Sequence, residues 1–85
     1  MTTYEITLSK QFRKDYAIVR CTFLFRKIDE FVTLVSYNPF QTPPPYEKSK
    51  GEVNTYSRRI NQQHRLVYRI SGDKVIFLRC WSRYE

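Results

Sequence analysis

The fold is decided by the stretch VNTYSRRINQQHRLVYRISGDKVIFLRCW, residues 53–81. Segments rich in Val, Ile, Tyr and Phe alternate here with short polar segments, a pattern typical of β-strands joined by tight turns. The pattern predicts strands over 53–60, 64–70 and 75–81, with turns at 61–63 and 71–74. Because connections this short join antiparallel neighbours, the stretch predicts a three-stranded antiparallel meander.

The residues before the meander predict one more strand, two helices and a long loop. Residues 4–8 alternate as in a strand, and Ser9 is a good N-cap for a helix that ends near Arg20. Apolar residues at helical spacing predict a second helix over 22–36, and the proline-rich segment 38–52 predicts a loop. The chain is therefore expected to be one α+β domain, 1–85, with an antiparallel twisted sheet (β-α-α-β-β-β) and a two-helix hairpin packed on one face.

Period-two alternation assigns the strand side chains to two faces. We expect the helices to cover Leu66 and Ile70 on the middle strand, together with Ile76 and Leu78 on the last. The opposite face then carries arginines and aromatics, which pair with phosphates and stack on bases. From Arg58 onward, arginines alternate with aromatics within the strand-like segments, at Arg58, Arg59, Arg65, Tyr68, Arg69, Phe77, Arg79, Trp81, Arg83 and Tyr84.

Composition narrows the classes of partner. Fifteen Lys and Arg against eight Asp and Glu give a net charge of +7, which favours nucleic acid, the ribosome or an acidic protein. No apolar run approaches the roughly 20 residues of a membrane-spanning helix, and the first residues do not resemble a secretory signal. Cys21 and Cys80 fit no metal spacing and predict packed thiols in a reducing compartment, so we expect a cytoplasmic protein without a membrane partner.

Five short segments resemble the YoeB/Txe branch of the RelE-like toxin superfamily. They are Asn38-Pro39-Phe40, Pro44-Pro45-Tyr46-Glu47-Lys48, Tyr56-Ser57-Arg58-Arg59-Ile60, His64-Arg65-Leu66-Val67-Tyr68 and Trp81-Ser82-Arg83-Tyr84-Glu85. The resemblance is strong over 38–85 and compatible in length and pattern before that. It implies the RelE-like fold, no metal or other cofactor, and cleavage of mRNA at the A-site codon of the 70S ribosome. It also implies neutralisation by an acidic YefM/Axe-like antitoxin, and a homodimer as a common assembly.

The same resemblance implies roles for individual residues. The family pattern has a glutamate base just after the proline-rich loop, which Glu47 matches, and a phosphate-stabilising arginine, which Arg65 matches. A guanidinium suits the second role because it binds two phosphate oxygens and keeps its charge. Together with the basic face, the resemblance predicts RNA-binding residues Lys50, Arg59, Arg69, Arg79 and Trp81.

The chain departs from the pattern at the general acid. The family has a histidine directly before a tyrosine near the C-terminus, and here that position is Arg83. Guanidinium is a poor proton donor, so the neighbouring Tyr84 is the candidate substitute and Arg83 contributes fixed charge. His64, the only histidine, falls on the Leu66 face by alternation, which favours a structural role.

Two alternatives to an active endonuclease follow. Loss of the histidine is compatible with a weak or inactive module that only binds RNA, the ribosome and the antitoxin. A DNA-binding regulator is disfavoured, because the helices carry few arginines and the second has the pattern of a core helix.

Overall fold

Residues 4–43, 45–62 and 64–81, which the structure describes, form two helices and five strands in this computed structural model. In chain order these are β1 (Glu5–Leu8), α1 (Lys10–Val19), α2 (Phe25–Tyr37), β2 (Glu47–Lys48), β3 (Thr55–Arg59), β4 (Arg65–Ser71) and β5 (Lys74–Arg79). The α+β class and the order of the predicted elements are confirmed. The structure adds the strand β2, which lies inside the predicted loop. The sequence could not predict it, because a strand of two residues is too short to show a periodic pattern. No helix in the described ranges is long and apolar enough to cross a bilayer.

The strands form a sheet in the order β1-β5-β4-β3-β2. As predicted, β3, β4 and β5 are antiparallel neighbours, and β2 extends the sheet antiparallel to β3. In contrast, β1 runs parallel to β5, so the sheet is mixed rather than wholly antiparallel. The helices and the rest of the meander separate these two strands along the chain, so no tight turn fixes their relative direction.

Ser9 begins α1 as predicted and also ties the helix to the sheet. Its Oγ accepts the Phe12 backbone N–H at 3.0 Å and donates to the Leu78 carbonyl at 3.0 Å. Phe12 and Val19 are buried, and the Phe12 ring lies 5.3 Å from the ring of Phe77 on β5. Capping and burial therefore dock α1 onto β5 together.

Helix α2 begins at Phe25 rather than at Thr22, because Thr22 belongs to the turn between the helices. The Thr22 hydroxyl donates to the Val19 carbonyl at 2.8 Å. Ile28 and Val35 are fully buried, and α2 contacts β4. The two helices thus cover one face of the sheet, as predicted.

The buried face of β5 differs from the prediction. Val75 and Phe77 are fully buried, whereas Ile76 and Leu78 are only half-buried. The two-residue turn between β4 and β5 sets Ile70 directly opposite Val75, and residues opposite each other in an antiparallel pair share a face. The turn therefore fixes which side of β5 faces the helices.

A β-bulge changes the register once more near the end of β5. Tyr68 lies opposite Phe77, but Val67 lies opposite Arg79, which leaves Leu78 as the extra residue. After the bulge, Cys80 is fully buried in the core. Simple alternation across 75–81 could not predict this switch of faces.

Candidate active site on the open face of the sheet

The short strand β2 holds Glu47 on the open face of the sheet, which is the face opposite the helices. Glu47 lies opposite Ser57 on β3, and Ser57 lies opposite Val67 on β4. The Ser49 N–H donates to the Thr55 carbonyl at 2.7 Å, which fixes the segment directly after β2. The main chain therefore determines where the Glu47 carboxylate emerges.

The Glu47 carboxylate meets the Arg65 guanidinium on this face. Glu47 Oε2 lies 3.4 Å from Arg65 Nη1, and the two side chains are 68% and 28% exposed. An ion pair this exposed contributes at most about 1 kcal/mol to stability, so its interest is chemical. An accessible carboxylate can accept a proton, and a neighbouring fixed cation can bind a phosphate. The structure thus brings together two residues that the sequence singled out.

A depression of about 230 Å³ opens beside this pair. Lys50, Tyr56 and Ser57 line it together with Glu47 and Arg65. With Lys48, three cations, a carboxylate and hydroxyl groups surround this solvent-accessible hollow, which suits the phosphate–sugar backbone of a nucleic acid. In the described part of the chain, no three or more His, Cys, Asp or Glu side chains are grouped to hold a metal ion.

Two more of the predicted cations lie on the same face. Arg59 is exposed at the end of β3 and lies opposite Arg65, so it borders the Glu47–Arg65 pair. Arg69 is exposed farther along β4, opposite Thr55. These positions extend the positive surface away from the depression.

Arg79 and Trp81 contact other parts of the protein. Arg79 Nε donates to Asp15 Oδ2 at 3.3 Å, and the Trp81 ring stacks on His64 with centroids 3.8 Å apart. Part of each side chain therefore contacts the protein itself. RNA binding stays a prediction for both residues. The stack agrees with a structural role for His64. The other two predicted residues, Arg83 and Tyr84, lie outside the described residues.

Comparison with known proteins identifies the family. Residues 9–84 match the model of the YoeB-like toxin of bacterial type II toxin–antitoxin systems. The chain belongs to the YoeB-like toxin family. The match spans both helices of this YoeB-like toxin as well as the meander, and so extends the resemblance beyond 38–85.

Two relatives illustrate the distance within the family. Toxin YoeB of Mycobacterium bovis is 37% identical over 60 residues, which cover 69% of this chain and 71% of the relative. Toxin YoeB of Escherichia coli K12 is 31% identical over 62 residues, covering 72% and 74%. The YoeB-like toxin described here has thus diverged substantially from both.

Solved structures share the fold of this YoeB-like toxin. The YoeB/ParE toxin from Agrobacterium tumefaciens superposes with a TM-score of 0.81 at 27% identity, covering 94% of this chain and 99% of that one. A YoeB chain from a YoeB–YefM complex of Staphylococcus aureus superposes with a TM-score of 0.77 at 30% identity, covering 96% and 97%. The RelE–RelB complex of Pyrococcus horikoshii, at 22% identity and a TM-score of 0.71, shares the fold. The expected RelE-like fold is confirmed.

Arg58 of this YoeB-like toxin is a residue whose role the sequence reasoning missed. In the sequence it is one of the arginines that alternate with aromatics, with no site assigned to it, and its side chain is fully buried. Arg58 lies opposite Leu66, on the helix-covered face. The available signal was alternation within β3, which places Arg58 on the same face as Tyr56 and Ile60.

The Arg58 guanidinium joins the sheet to the proline-rich loop. Its Nε donates to the Tyr68 hydroxyl at 3.1 Å, and its Nη2 donates to the Pro39 carbonyl at 3.0 Å. The Tyr68 hydroxyl donates to the same carbonyl at 2.9 Å. Burial raises the pKa of Tyr68, so the phenol remains a donor at neutral pH. The guanidinium also lies over the Tyr46 ring, 5.2 Å from its centroid.

Asp15 is a second residue that the sequence reasoning missed. It is a carboxylate only 3% exposed, on the same side of α1 as the buried Phe12. Besides Arg79, its Oδ2 accepts the backbone N–H groups of Cys80 and Trp81 at 3.2 and 3.4 Å. Asp15 therefore fastens the end of β5 to the helix layer.

Proposed function

We propose that this YoeB-like toxin is a ribosome-dependent endoribonuclease that cleaves mRNA at the A-site codon and thereby inhibits translation. The observation that carries the proposal is the Glu47 carboxylate, 3.4 Å from the Arg65 guanidinium on an exposed face. RNA transesterification needs a base, positive charge at the phosphate and an acid, and this pair offers the first two. The net charge of +7 favours a polyanionic target.

In the proposed reaction the ribose 2′-oxygen attacks the adjacent phosphorus. Glu47 takes the proton from the 2′-hydroxyl, and Arg65 binds the non-bridging oxygens as negative charge develops on the phosphorane. The bond from phosphorus to the 5′-oxygen then breaks, leaving a 2′,3′-cyclic phosphate, and the leaving oxygen gains a proton. Lys50 and Arg59, which border the same pair, hold the backbone on either side. The proposed reaction uses no metal.

The proton for the leaving oxygen is assigned to Tyr84. A phenol, with a pKa of about 10, is a slower donor than an imidazole but a better one than a guanidinium. Arg83 then contributes mainly fixed positive charge. The proposed enzyme is therefore attenuated relative to one that carries a histidine at position 83.

The proposed partners follow from charge and from the relatives. The YoeB of Staphylococcus aureus occurs in a complex with YefM and as a dimer. We propose that this toxin likewise binds an acidic YefM-like antitoxin and can form a homodimer. Action on translating ribosomes places it in the cytoplasm.

Primer extension on mRNA with purified 70S ribosomes, and with mRNA alone, tests the proposal. We expect discrete cuts at the A-site codon only when ribosomes are present. Glu47→Ala and Arg65→Ala should each lower the rate at least about 100-fold, whereas Arg26→Ala on the exposed side of α2 should cleave as the wild type does. Undiminished cleavage in either site variant, or cuts without ribosomes, would overturn the proposal.

The arginine at position 83 favours one second candidate, a module that binds ribosome and antitoxin without cutting RNA. It requires that the wild-type chain bind 70S ribosomes and leave the mRNA intact. Any A-site cleavage by the wild type above that of Glu47→Ala excludes it.

A further inference from the structure

The buried Arg58 contacts both ends of one segment of the proline-rich loop. At one end its Nη2 donates to the Pro39 carbonyl at 3.0 Å, and at the other its guanidinium lies over the ring of Tyr46. Tyr46 directly precedes Glu47. One side chain of the sheet therefore holds the start of the segment and the residue next to the proposed base.

Burying a guanidinium is costly, because the cation loses its hydration. Replacing a whole buried ion pair with well-packed apolar residues is often neutral or even stabilising, so a buried cation is weak evidence for a role in stability. Arg58 is fully buried, and its hydrogen bonds and ring contact must offset this cost. The directional contacts of a guanidinium also fix the position of a carbonyl and of an aromatic ring at the same time.

Aromatic rings complete the attachment of the loop to the sheet. The rings of Phe40, Tyr46 and Tyr56 contact one another edge to face, with centroid distances of 5.5 to 6.0 Å. The Tyr56 ring in turn stacks on Tyr68 at 6.0 Å, the residue whose hydroxyl accepts from Arg58. Such pairs prefer defined geometries rather than mere proximity. The ring cluster and the guanidinium thus set the position of Tyr46 together.

The strand that carries Glu47 has little support of its own. It contains two residues and pairs with β3 alone, and the Glu47 side chain is 68% exposed. A displacement of Tyr46 would therefore pass directly to Glu47. Misplacing a reacting group by about 1 Å can lower a rate about 100-fold.

We infer that Arg58 is a positioning residue of the endonuclease: by holding Pro39 and Tyr46, it sets the Glu47 carboxylate beside Arg65. The inference rests on the proposed function and adds a residue that need not touch RNA. It assigns to Arg58 an effect on the rate of the chemical step, not on binding to the ribosome.

Two variants disturb the attachment from opposite sides. Arg58→Lys keeps the charge but loses the fork that reaches both Tyr68 and Pro39. Tyr46→Leu keeps an apolar contact but removes the ring over the guanidinium. The control is Arg26→Lys, a matched exchange at an exposed site of α2. Circular dichroism verifies that each variant is folded, and if Arg58→Lys is not, Tyr46→Leu decides the question.

The measurement separates single-turnover cleavage at saturating 70S ribosomes from the dissociation constant for the ribosome. We expect the single-turnover cleavage rate of Arg58→Lys to fall about 10- to 100-fold. The cleavage rate of Tyr46→Leu should also fall. The dissociation constant should stay within about twofold of the wild-type value, since the exposed cations are untouched. The inference is overturned if the folded variants cleave at the wild-type rate. It is also overturned if they lose only affinity for the ribosome.

A double-mutant cycle tests whether Arg58 acts through Glu47. In the Glu47→Ala background, Arg58→Lys should cause no further loss of cleavage, because the group that it positions is already gone. Additive losses would assign Arg58 a separate role and overturn the inference. If Glu47→Ala alone cleaves normally, the proposed function fails first and the inference with it. If Glu47→Ala is inactive but the Arg58 and Tyr46 variants are fully active, only the inference fails.

Discussion

Arg83 stands where the family pattern has a histidine. A guanidinium keeps its proton at neutral pH, whereas an imidazole exchanges one near pH 7. We therefore expect Arg83→His to raise the rate of A-site cleavage. The gain should be smaller than the factor of about 10² to 10⁴ that a general acid contributes where no other donor is present, because Tyr84 is the proposed donor in the wild type. Single-turnover cleavage on programmed ribosomes measures the effect. Arg83→Lys is the control, because an ammonium also remains protonated at neutral pH. Equal rates for the histidine variant and the wild type would mean that another donor already suffices.

The two cysteines differ in accessibility. Cys21 is exposed and Cys80 is buried, so the prediction of a packed thiol is confirmed for Cys80 and wrong for Cys21. Burial, reinforced by the Asp15 carboxylate, raises the pKa of the Cys80 thiol to about 12, so it stays protonated at pH values where alkylating reagents are used. We expect one alkylated thiol per native chain at a pH of about 8 and two after denaturation, counted by mass spectrometry. Cys21→Ser should take no label while folded. Equal labelling rates at both positions would contradict the buried location.

The same pKa shift makes the free energy of unfolding depend on pH. The Cys80 thiol has an ordinary pKa of 9.0 and a folded-state pKa of about 12. Between these values only the unfolded state releases the proton, so the free energy of unfolding falls as pH rises above 9. Replacing Cys80 with Ala should remove that part of the decline, which chemical denaturation at a series of pH values would measure.

At the scale of elements, Asp15 joins α1 to the end of β5. Asp15→Ala would leave the buried Cys80 N–H and its neighbour Trp81 N–H without their acceptor. We expect the free energy of unfolding to fall by about 2–4 kcal/mol, a large share of the roughly 5–15 kcal/mol typical of a domain. Urea denaturation followed by circular dichroism gives this difference.

Asp29→Ala is the matched control for Asp15→Ala. Asp29 also lies on a helix and accepts a hydrogen bond, from Tyr16 at 3.1 Å, but its site is exposed. Its removal should change the free energy of unfolding by about 0.5 kcal/mol or less. Equal effects of the two substitutions would mean that the attachment of β5 to α1 contributes little.

The predictable elements are those whose signal is local. Ser9 could be predicted as an N-cap because a hydroxyl beside a free backbone N–H needs no distant partner, and the meander could be predicted from its turns. The inward face of β5 could not be predicted from alternation alone. Its assignment depends on the Ile70–Val75 register and on the bulge at Leu78, which involve another strand. For β2, two residues give no pattern at all.

The candidate site divides in the same way. Glu47 and Arg65 could be predicted from their resemblance to a family pattern, and their contact at 3.4 Å follows from sheet register. Alternation within β3 places Arg58 on the same face as Tyr56 and Ile60, but a cation next to aromatics gives the same sequence pattern in a core and on a surface. Only the position of the helices decides which of the two applies.

At the scale of the whole molecule, the net charge of +7 acts on every encounter. We expect the association rate constant with an acidic YefM-like antitoxin to fall about tenfold or more from low to physiological ionic strength. The dissociation rate constant should change less, because short-range contacts dominate it. Stopped-flow fluorescence measures both. An association rate constant that does not depend on salt would contradict the electrostatic origin of binding.

We also expect bound antitoxin to protect residues 79–84 from proteolysis.

The parallel pairing of β1 with β5 has a consequence for synthesis. Ile6 lies opposite Val75, so β1 cannot complete its place in the sheet until β5 has been translated. At roughly 5–20 residues per second, that delay is on the order of several seconds. A message severed before the codons for β5 yields only fragments in which β1 lacks its neighbour.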